Sequence, residues 1–322
     1  MPTAGSSADD VSTHIGRRWQ AIDPLLPLSA APSPACGAEL AVAGPDGLPA
    51  ATGTCEHWEG EPGSLDLAWG AARRFLLTPR IAGPDVGGAL DGLLSLWRDH
   101  LARVPGTGSQ DTAAVVTWPS RDIEGVRILL GHGLTPLNII AARTAGGQRA
   151  GHADRRPRPG LRIRRARPAD IDAVVRLGLE VVRFDAYFGC VTERPGTADA
   201  LRREVTESLA RPDAWTWLAE RDGTPVGMLN AQRPESAAWI APLVRPAPVA
   251  YLELLAVLPG ERGRGTGAAL AEQLHRETEA AGVAVTLLHY ALPNPLSMPF
   301  WSQQGYRPVW TSWQAWPAQA IR

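Results

Sequence analysis

The sequence predicts a mixed α/β protein made of two related halves. Three observations carry that expectation. Short apolar runs suited to strands are interleaved with helix-patterned segments, without a steady βαβ repeat. The order of elements occurs twice along the 322 residues. Between the two occurrences, Arg143 to Gly160 is rich in glycine, proline and arginine and has almost no apolar residues, so it reads as a linker. The expected division is a first domain over 1–142, a linker over 143–160 and a second domain over 161–322.

In the first half, 84–101 ("PDVGGALDGLLSLWRDHL") has helical spacing and 112–118 ("TAAVVTW") is a strand. A short helix and the turn "HGLTP" at 132–136 follow. In the second half, 161–182 passes from strand alternation (Leu161, Ile163) to helical spacing (Ile171, Val174, Val175, Leu179), with Pro168 and Asp170 at the helix start. A helix over 198–210 comes next, then two strands across an Asp222-Gly223 hairpin turn. The strand "YLELLAVL" (251–258) leads through a glycine-rich turn into a helix from about Gly265 to Ala281. A strand over 283–291, a short helix at 295–304 and a closing strand over 306–316 complete the chain. The two halves superpose in sequence by these last units: Asp122 lies as far from Gly133 as Asn294 does from Gly305, and "HGLTP" falls on "QGYRP".

Composition narrows the functional classes. At 44% hydrophobic and 20% charged residues the chain can bury substantial cores. A net charge of −1 gives no general attraction to nucleic acid or to an anionic membrane, so neither is expected as a partner. All 32 basic residues are arginines, which removes lysine-based covalent mechanisms. Cys36, Cys55 and Cys190 are scattered, without metal-ligand spacing, so no metal is expected. The polar opening residues lack a signal core and no run reaches membrane-spanning length, which suggests a cytoplasmic protein.

The turn "PGERGRGTG" (259–267) is the segment richest in chemistry. The first amides of a helix have no intrahelical partner, and the helix dipole places partial positive charge there. Glycines at 263, 265 and 267 let a phosphate approach the bare backbone, and Arg262 and Arg264 supply cationic donors. No Lys-Ser/Thr follows, so this is not a Walker loop, and the glycine spacing departs from the dinucleotide fingerprint. Strand, turn and helix together describe a phosphate site.

With Arg262, Gly265 and Gly267, the turn resembles the acyl-CoA loop R/Q-x-x-G-x-G/A of the GCN5-related N-acetyltransferase (GNAT) family. The resemblance extends over about 161–316, through the opening strand and helix, the hairpin strand with Gly227, and the closing "NPLSMPFWSQQGYRPV". It implies two GNAT-like domains, each a mostly antiparallel, splayed mixed sheet flanked by helices, with the first a degenerate copy. It also implies transfer of an acetyl group from acetyl-CoA to a primary amine, on a small molecule or a peptide, by a monomer or homodimer. The cofactor contacts it implies are Leu255, Ala256 and Val257 on the splayed strand, Arg262, Gly263, Arg264, Gly265, Thr266 and Gly267 in the loop, and Asn294 and Trp301 near the end.

Among catalytic groups, Glu253 stands in the middle of an apolar strand, where burial raises a carboxyl pKa toward that of a general base. His289 and Tyr290 end the next strand and are the alternatives. Many relatives carry a general-acid Tyr four residues before the closing Gly. This chain has Trp301 there, and an indole cannot protonate a thiolate, which leaves Ser297, Tyr290 or water. Phe184, Asp185 and Tyr187 fall where the family's variable acceptor loop lies. Asp85 falls near the glycine positions in the first half, so that copy is expected to bind no CoA. The missing Tyr keeps a non-catalytic acyl-CoA-binding or sensing module open as an alternative, and a purely structural protein is the remaining class.

Overall fold

The computed structural model describes residues 15–29, 37–44, 47–82, 84–147 and 159–322. Most of the expected linker, 148–158, lies outside the described residues, as do the first 14 residues and Cys36. The described residues open with a helix at 15–22, α1. The first half continues with β1 (Ala38–Ala43), β2 (Pro49–Glu59), a 3-10 turn (Leu65–Trp69), β3 (Arg73–Ile81), α2 (Val86–Leu101), β4 (Thr112–Pro119), α3 (Ile123–Gly131) and β5 (Thr135–Thr144). The second half supplies β6 (Leu161–Arg165), α4 (Ile171–Ala186), α5 (Thr197–Leu209), β7 (Trp215–Arg221), β8 (Thr224–Gln232), β9 (Val249–Val257), α6 (Thr266–Ala280), β10 (Val285–Ala291), α7 (Ser297–Gln303) and β11 (Arg307–Ala315).

All the strands join one mixed sheet, in the order β1-β2-β3-β4-β11-β5-β10-β9-β8-β7-β6. Only β3–β4 and β9–β10 pair parallel; the other pairs are antiparallel. The centre of this order is a reciprocal exchange. The last strand of the first half, β5, pairs with β10, and the last strand of the second half, β11, pairs with β4. Both strands are buried on both faces. Leu137, Ile139, Ile140, Ala141 and Ala142 in β5, like Val309, Trp310, Trp313 and Ala315 in β11, give the near-continuous apolar runs of central strands. Each half thus supplies a mostly antiparallel sheet, and the two sheets are locked at their seam.

Helices cover both faces. On one face α2 and α3 pack over Phe75, Leu77, Ala114, Val116 and Trp313, while α6 and α7 pack over Ile139, Leu229, Leu252 and Leu288. On the other face α4 and α5 enclose Leu218, Met228, Leu254 and Ala256, and α1 joins the cluster around Ile140, Leu287 and Trp310. Gly227 permits the close seating of α6, because a Cβ there would meet Ala256 O at 2.9 Å and Leu270 at 3.2 Å. The β7–β8 hairpin turns through Asp222 and Gly223 at φ of 50° and 81°, the positive pair of a type I′ turn. Among the described residues no helix is long and apolar enough to cross a membrane.

Candidate active site

The β9–β10 pairing runs from Val249↔Val285 to Leu252↔Leu288 and stops there, although both strands continue. Beyond Leu252 they splay, so Leu255, Ala256 and Val257 keep their β8 partners but have none on the β10 side. The splay opens into a cavity of about 1520 Å³, larger than most small-ligand sites.

At one end of the cavity β9 runs through a 3-10 turn (Pro259–Glu261) into the N-terminus of α6. Gly263 and Gly265 take φ of 76° and 81°. Gly265 is the N-cap of α6 and offers no side-chain cap; the first backbone bond recorded there is Ala269 N–H to Gly265 O, at 3.0 Å. The amides of Thr266, Gly267 and Ala268 therefore lack intrahelical acceptors. The buried hydroxyl of Thr266 also has no partner among the described residues. The two loop arginines differ. Arg264 is tied to Glu261 at 2.7 Å, and Glu261 is also held by Arg221 at 2.7 Å. Arg262 lies 4.4 Å over the Phe184 ring, with its Nε donating to Val257 O at 3.3 Å, and makes no ion pair among the described residues. Uncapped amides, an unpartnered hydroxyl and one uncompensated guanidinium are a donor set suited to phosphate oxygens.

Glu253 sits at a β-bulge. Asn230 pairs with Leu254 and Ala231 with Leu252, so Glu253 is the extra residue of β9 and its carboxylate turns to the α4/α5 face of the sheet, into the cavity wall. Burial raises its pKa above the usual carboxylate value, against the lowering effects of Gln232, Arg211 and Asn230. Glu204 on α5 faces the same space. Burial, and after it the charges of Glu253, Asp66 and Glu207, push its carboxyl up to about 7. His289 shares a 2.9 Å hydrogen bond with the Tyr251 hydroxyl, and desolvation lowers it to about 4, so it is neutral at physiological pH. Tyr290 lies two residues beyond the last β9–β10 pair, at the mouth of the splay; burial raises its phenol, which stays protonated. Ser297, the first residue of α7, also lines the cavity.

Trp301 is 7% exposed and packs edge-on against Phe300 and Tyr306, with part of its surface reaching the cavity. Asn294 uses both ends of its amide internally: Oδ1 accepts Leu296 N–H at 2.9 Å, and Nδ2 donates to Asp185 at 2.8 Å. Phe184 and Asp185 line the cavity near the loop rather than at its far end, while Tyr187 is 86% exposed and does not line it; neither does Arg264. Burial pushes the Cys190 thiol up to about 12, and it is no nucleophile at neutral pH. Among the described residues no cluster of metal-ligating side chains occurs.

Sequence reasoning did not single out the groups around Glu253. Asn230 and Gln232 both donate to its carboxylate, and Trp239 donates to Gln232 at 2.8 Å. The signal was present: Met228, Asn230 and Gln232 alternate along β8, two amides on the face of a central strand. The strand exchange also gives the first half part of the cavity, because Thr117, Asn138, Ser312 and Gln314 lie on the same face of β4, β5 and β11.

The matching turn of the first half is closed by its own carboxylates. Asp85, the N-cap of α2, accepts Gly88 N–H at 2.9 Å, and Glu124 accepts Gly87 N–H at 3.1 Å.

Residues 184–306 match the model of the acetyltransferase (GNAT) family. That segment is a GNAT-family domain. It contains the glycine loop, the bulged strand and the splay. No curated protein matches the sequence. A GCN5-related N-acetyltransferase from Sphaerobacter thermophilus is similar in structure over 98% of this chain and 94% of its own, with a TM-score of 0.55 at 15% identity, which extends the GNAT fold to both halves. A tandem GNAT protein from the clavulanic acid biosynthesis pathway matches with a TM-score of 0.44 at 15% identity, covering 98% of each chain. An aminoglycoside N-acetyltransferase solved with CoA matches at 0.38 and 20% identity, over 46% of this chain and 89% of that one.

Proposed function

We propose that the protein is an N-acetyltransferase that moves an acetyl group from acetyl-CoA to a primary amine. In this reading the second half, 161–322, is the catalytic domain, and the first half is a degenerate partner that binds no CoA. The observation that carries it is the pairing of an uncapped, glycine-lined helix N-terminus with a bulged, desolvated carboxylate in one cavity, on either side of a splay. Arg262 and the amides of Gly263 and of 265–268 would take the pyrophosphate. The unpaired edge of Leu255 to Val257 would align the pantetheine and the thioester carbonyl.

The acceptor enters among Glu204, Glu207, Asp66 and Glu253, a field that draws in an ammonium. Glu253 takes a proton from it, and the neutral nitrogen forms a bond to the thioester carbon. The carbon–sulfur bond then breaks, the departing thiolate receives a proton from Tyr290, which stands at the splay where Trp301 cannot serve, and the surplus proton of the acylated nitrogen passes through water to restore the phenol. A raised carboxyl and a phenol that keeps its proton are the complementary states this sequence needs.

Calorimetry with acetyl-CoA, followed by a thiol-release assay across a panel of primary amines, tests the reading. Binding with turnover on at least one amine, reduced about 10²-fold or more in Glu253→Gln, is the expected result. Binding without turnover on any amine favours the acyl-CoA sensor, and absence of binding refutes both.

A further inference from the structure

We propose that Gln232 and Trp239 are positioning residues, a single arm from the cavity rim that sets the proton affinity of Glu253. The inference rests on the reading of Glu253 as the base. Each oxygen of that carboxylate receives one side-chain amide, Oε2 from Asn230 and Oε1 from Gln232. Each amide is in turn fixed at its other end. The Thr216 hydroxyl donates to Asn230 Oδ1 at 2.7 Å, and the indole N–H of Trp239 donates to Gln232 Oε1 at 2.8 Å. An indole nitrogen only donates, so the oxygen of Gln232 is held toward Trp239 and its NH₂ is left facing Glu253.

The two amides have unlike anchors. Thr216 is buried at the start of β7, between the buried Trp215 and Trp217, so the Asn230 side is fixed by the core. Trp239 is 59% exposed and lines the cavity. It stands on a turn pinned by the fully buried Ala237 and Ile240, which fix the backbone while leaving the ring in the open. The ring meets Tyr251 edge-on at 5.1 Å and lies parallel to His289 at 6.4 Å. The titratable and charged groups that face Glu253 are Tyr251 on its own strand, His289 behind Tyr251, Glu204 from α5 and Arg211 just after it. Arg211 acts through space, without a hydrogen bond to Glu253 among the described residues. The amides are thus the direct donors, and the Gln232 side is the one that an exposed residue controls. Removing a donor from a carboxylate raises its pKa, because the charged form loses stabilisation that the neutral form never had.

The test is a ¹³C-carboxyl NMR titration of the whole chain, labelled at glutamate, with Glu253 assigned by its loss in Glu253→Gln. In Gln232→Leu its midpoint should rise by about one pH unit, a tenfold change in proton affinity. In Trp239→Phe, which keeps the ring and loses the N–H, it should rise by a smaller margin. The acid limb of kcat/KM, measured with the best amine of the panel, should move with the NMR midpoint. Unchanged midpoints in both variants overturn the proposal, as does a shift in Gln232→Leu with none in Trp239→Phe, which leaves Gln232 as an ordinary donor. Should Gln232→Leu not fold, the exposed position of Trp239 lets Trp239→Phe decide alone. If Glu253→Gln retains full turnover, the base assignment falls, while the NMR midpoints still decide whether the arm exists.

Discussion

Gly265→Asp converts the α6 N-terminus into a copy of the one the first half already has. Gly265 is the N-cap of α6 and Asp85 the N-cap of α2, where the carboxylate accepts the amide three residues on. An aspartate at 265 would accept Ala268 N–H in the same way and place a negative charge where pyrophosphate is proposed to lie. At roughly 5 Å and an effective dielectric of about 20, one carboxylate and one phosphate charge repel by about 3 kcal/mol. The amide withdrawn from a charged acceptor removes roughly 1.5–3 kcal/mol more. At about 1.4 kcal/mol per decade, CoA affinity should fall about 10³-fold at the least. Folding should change little. The φ of 81° costs an aspartate roughly 1–2 kcal/mol, and the new cap returns about 1 kcal/mol. Gly265→Ala separates the two effects, since it carries the backbone strain without the charge and should weaken CoA far less. The assay is titration calorimetry with CoA at matched ionic strength, with melting temperatures measured alongside. If Gly265→Asp binds CoA within about threefold of the parent, the anion-site reasoning is wrong.

Arg262→Ala should weaken CoA about tenfold or more and Arg264→Ala about threefold or less, because only Arg262 lacks a carboxylate partner; equal losses by calorimetry would contradict this. Glu204, whose carboxyl is raised to about 7, contributes stability that is present below its unfolded value near 4.5 and is lost as pH rises through about 7. Glu204→Gln should therefore raise the melting temperature at pH 8 and leave it unchanged at pH 4, and a lower melting temperature at pH 8 would refute the assignment. Arg194 fastens the segment after α4 to the first half through Leu67 O at 2.8 Å, Gly70 O at 3.1 Å and Asp111 at 2.7 Å. Arg194→Ala should cost about 2 kcal/mol in a denaturant titration, and a loss below about 0.5 kcal/mol would show these bonds to be dispensable.

Local patterns made the second half legible. The helix at Thr266–Ala280, the hairpin at Asp222-Gly223 and the strand carrying Glu253 all follow from spacing and turn chemistry that neighbouring residues determine. The loop stood out because glycine and arginine have few other reasons to crowd between a strand and a helix. What stayed hidden depends on long-range pairing. The bulge that aims Glu253 is a register jump against β8, and the raised pKa of Glu204 comes from burial and then from charges on β9, the turn before β3 and α5. The Asn294 amide accepts Leu296 N–H and holds Asp185 on α4, and the second of these is a long-range contact that local sequence does not encode.

The exchange of β5 and β11 bears on why a half whose matching helix N-terminus is capped by its own carboxylates persists. Removing the first half would strip β5 from between β10 and β11, exposing the edges of both strands and the buried Leu287, Leu288 and Trp310 that pair against it. It would also take Thr117 and Asn138 from the cavity face and leave β11 without β4. The second half therefore cannot close its own sheet or its own cavity, and the first half needs β11 for the same reason. The sheet and the cavity are consequently common to both halves. Neither the shared sheet nor the shared cavity needs a glycine loop at the α2 N-terminus, where Asp85 and Glu124 take the amides.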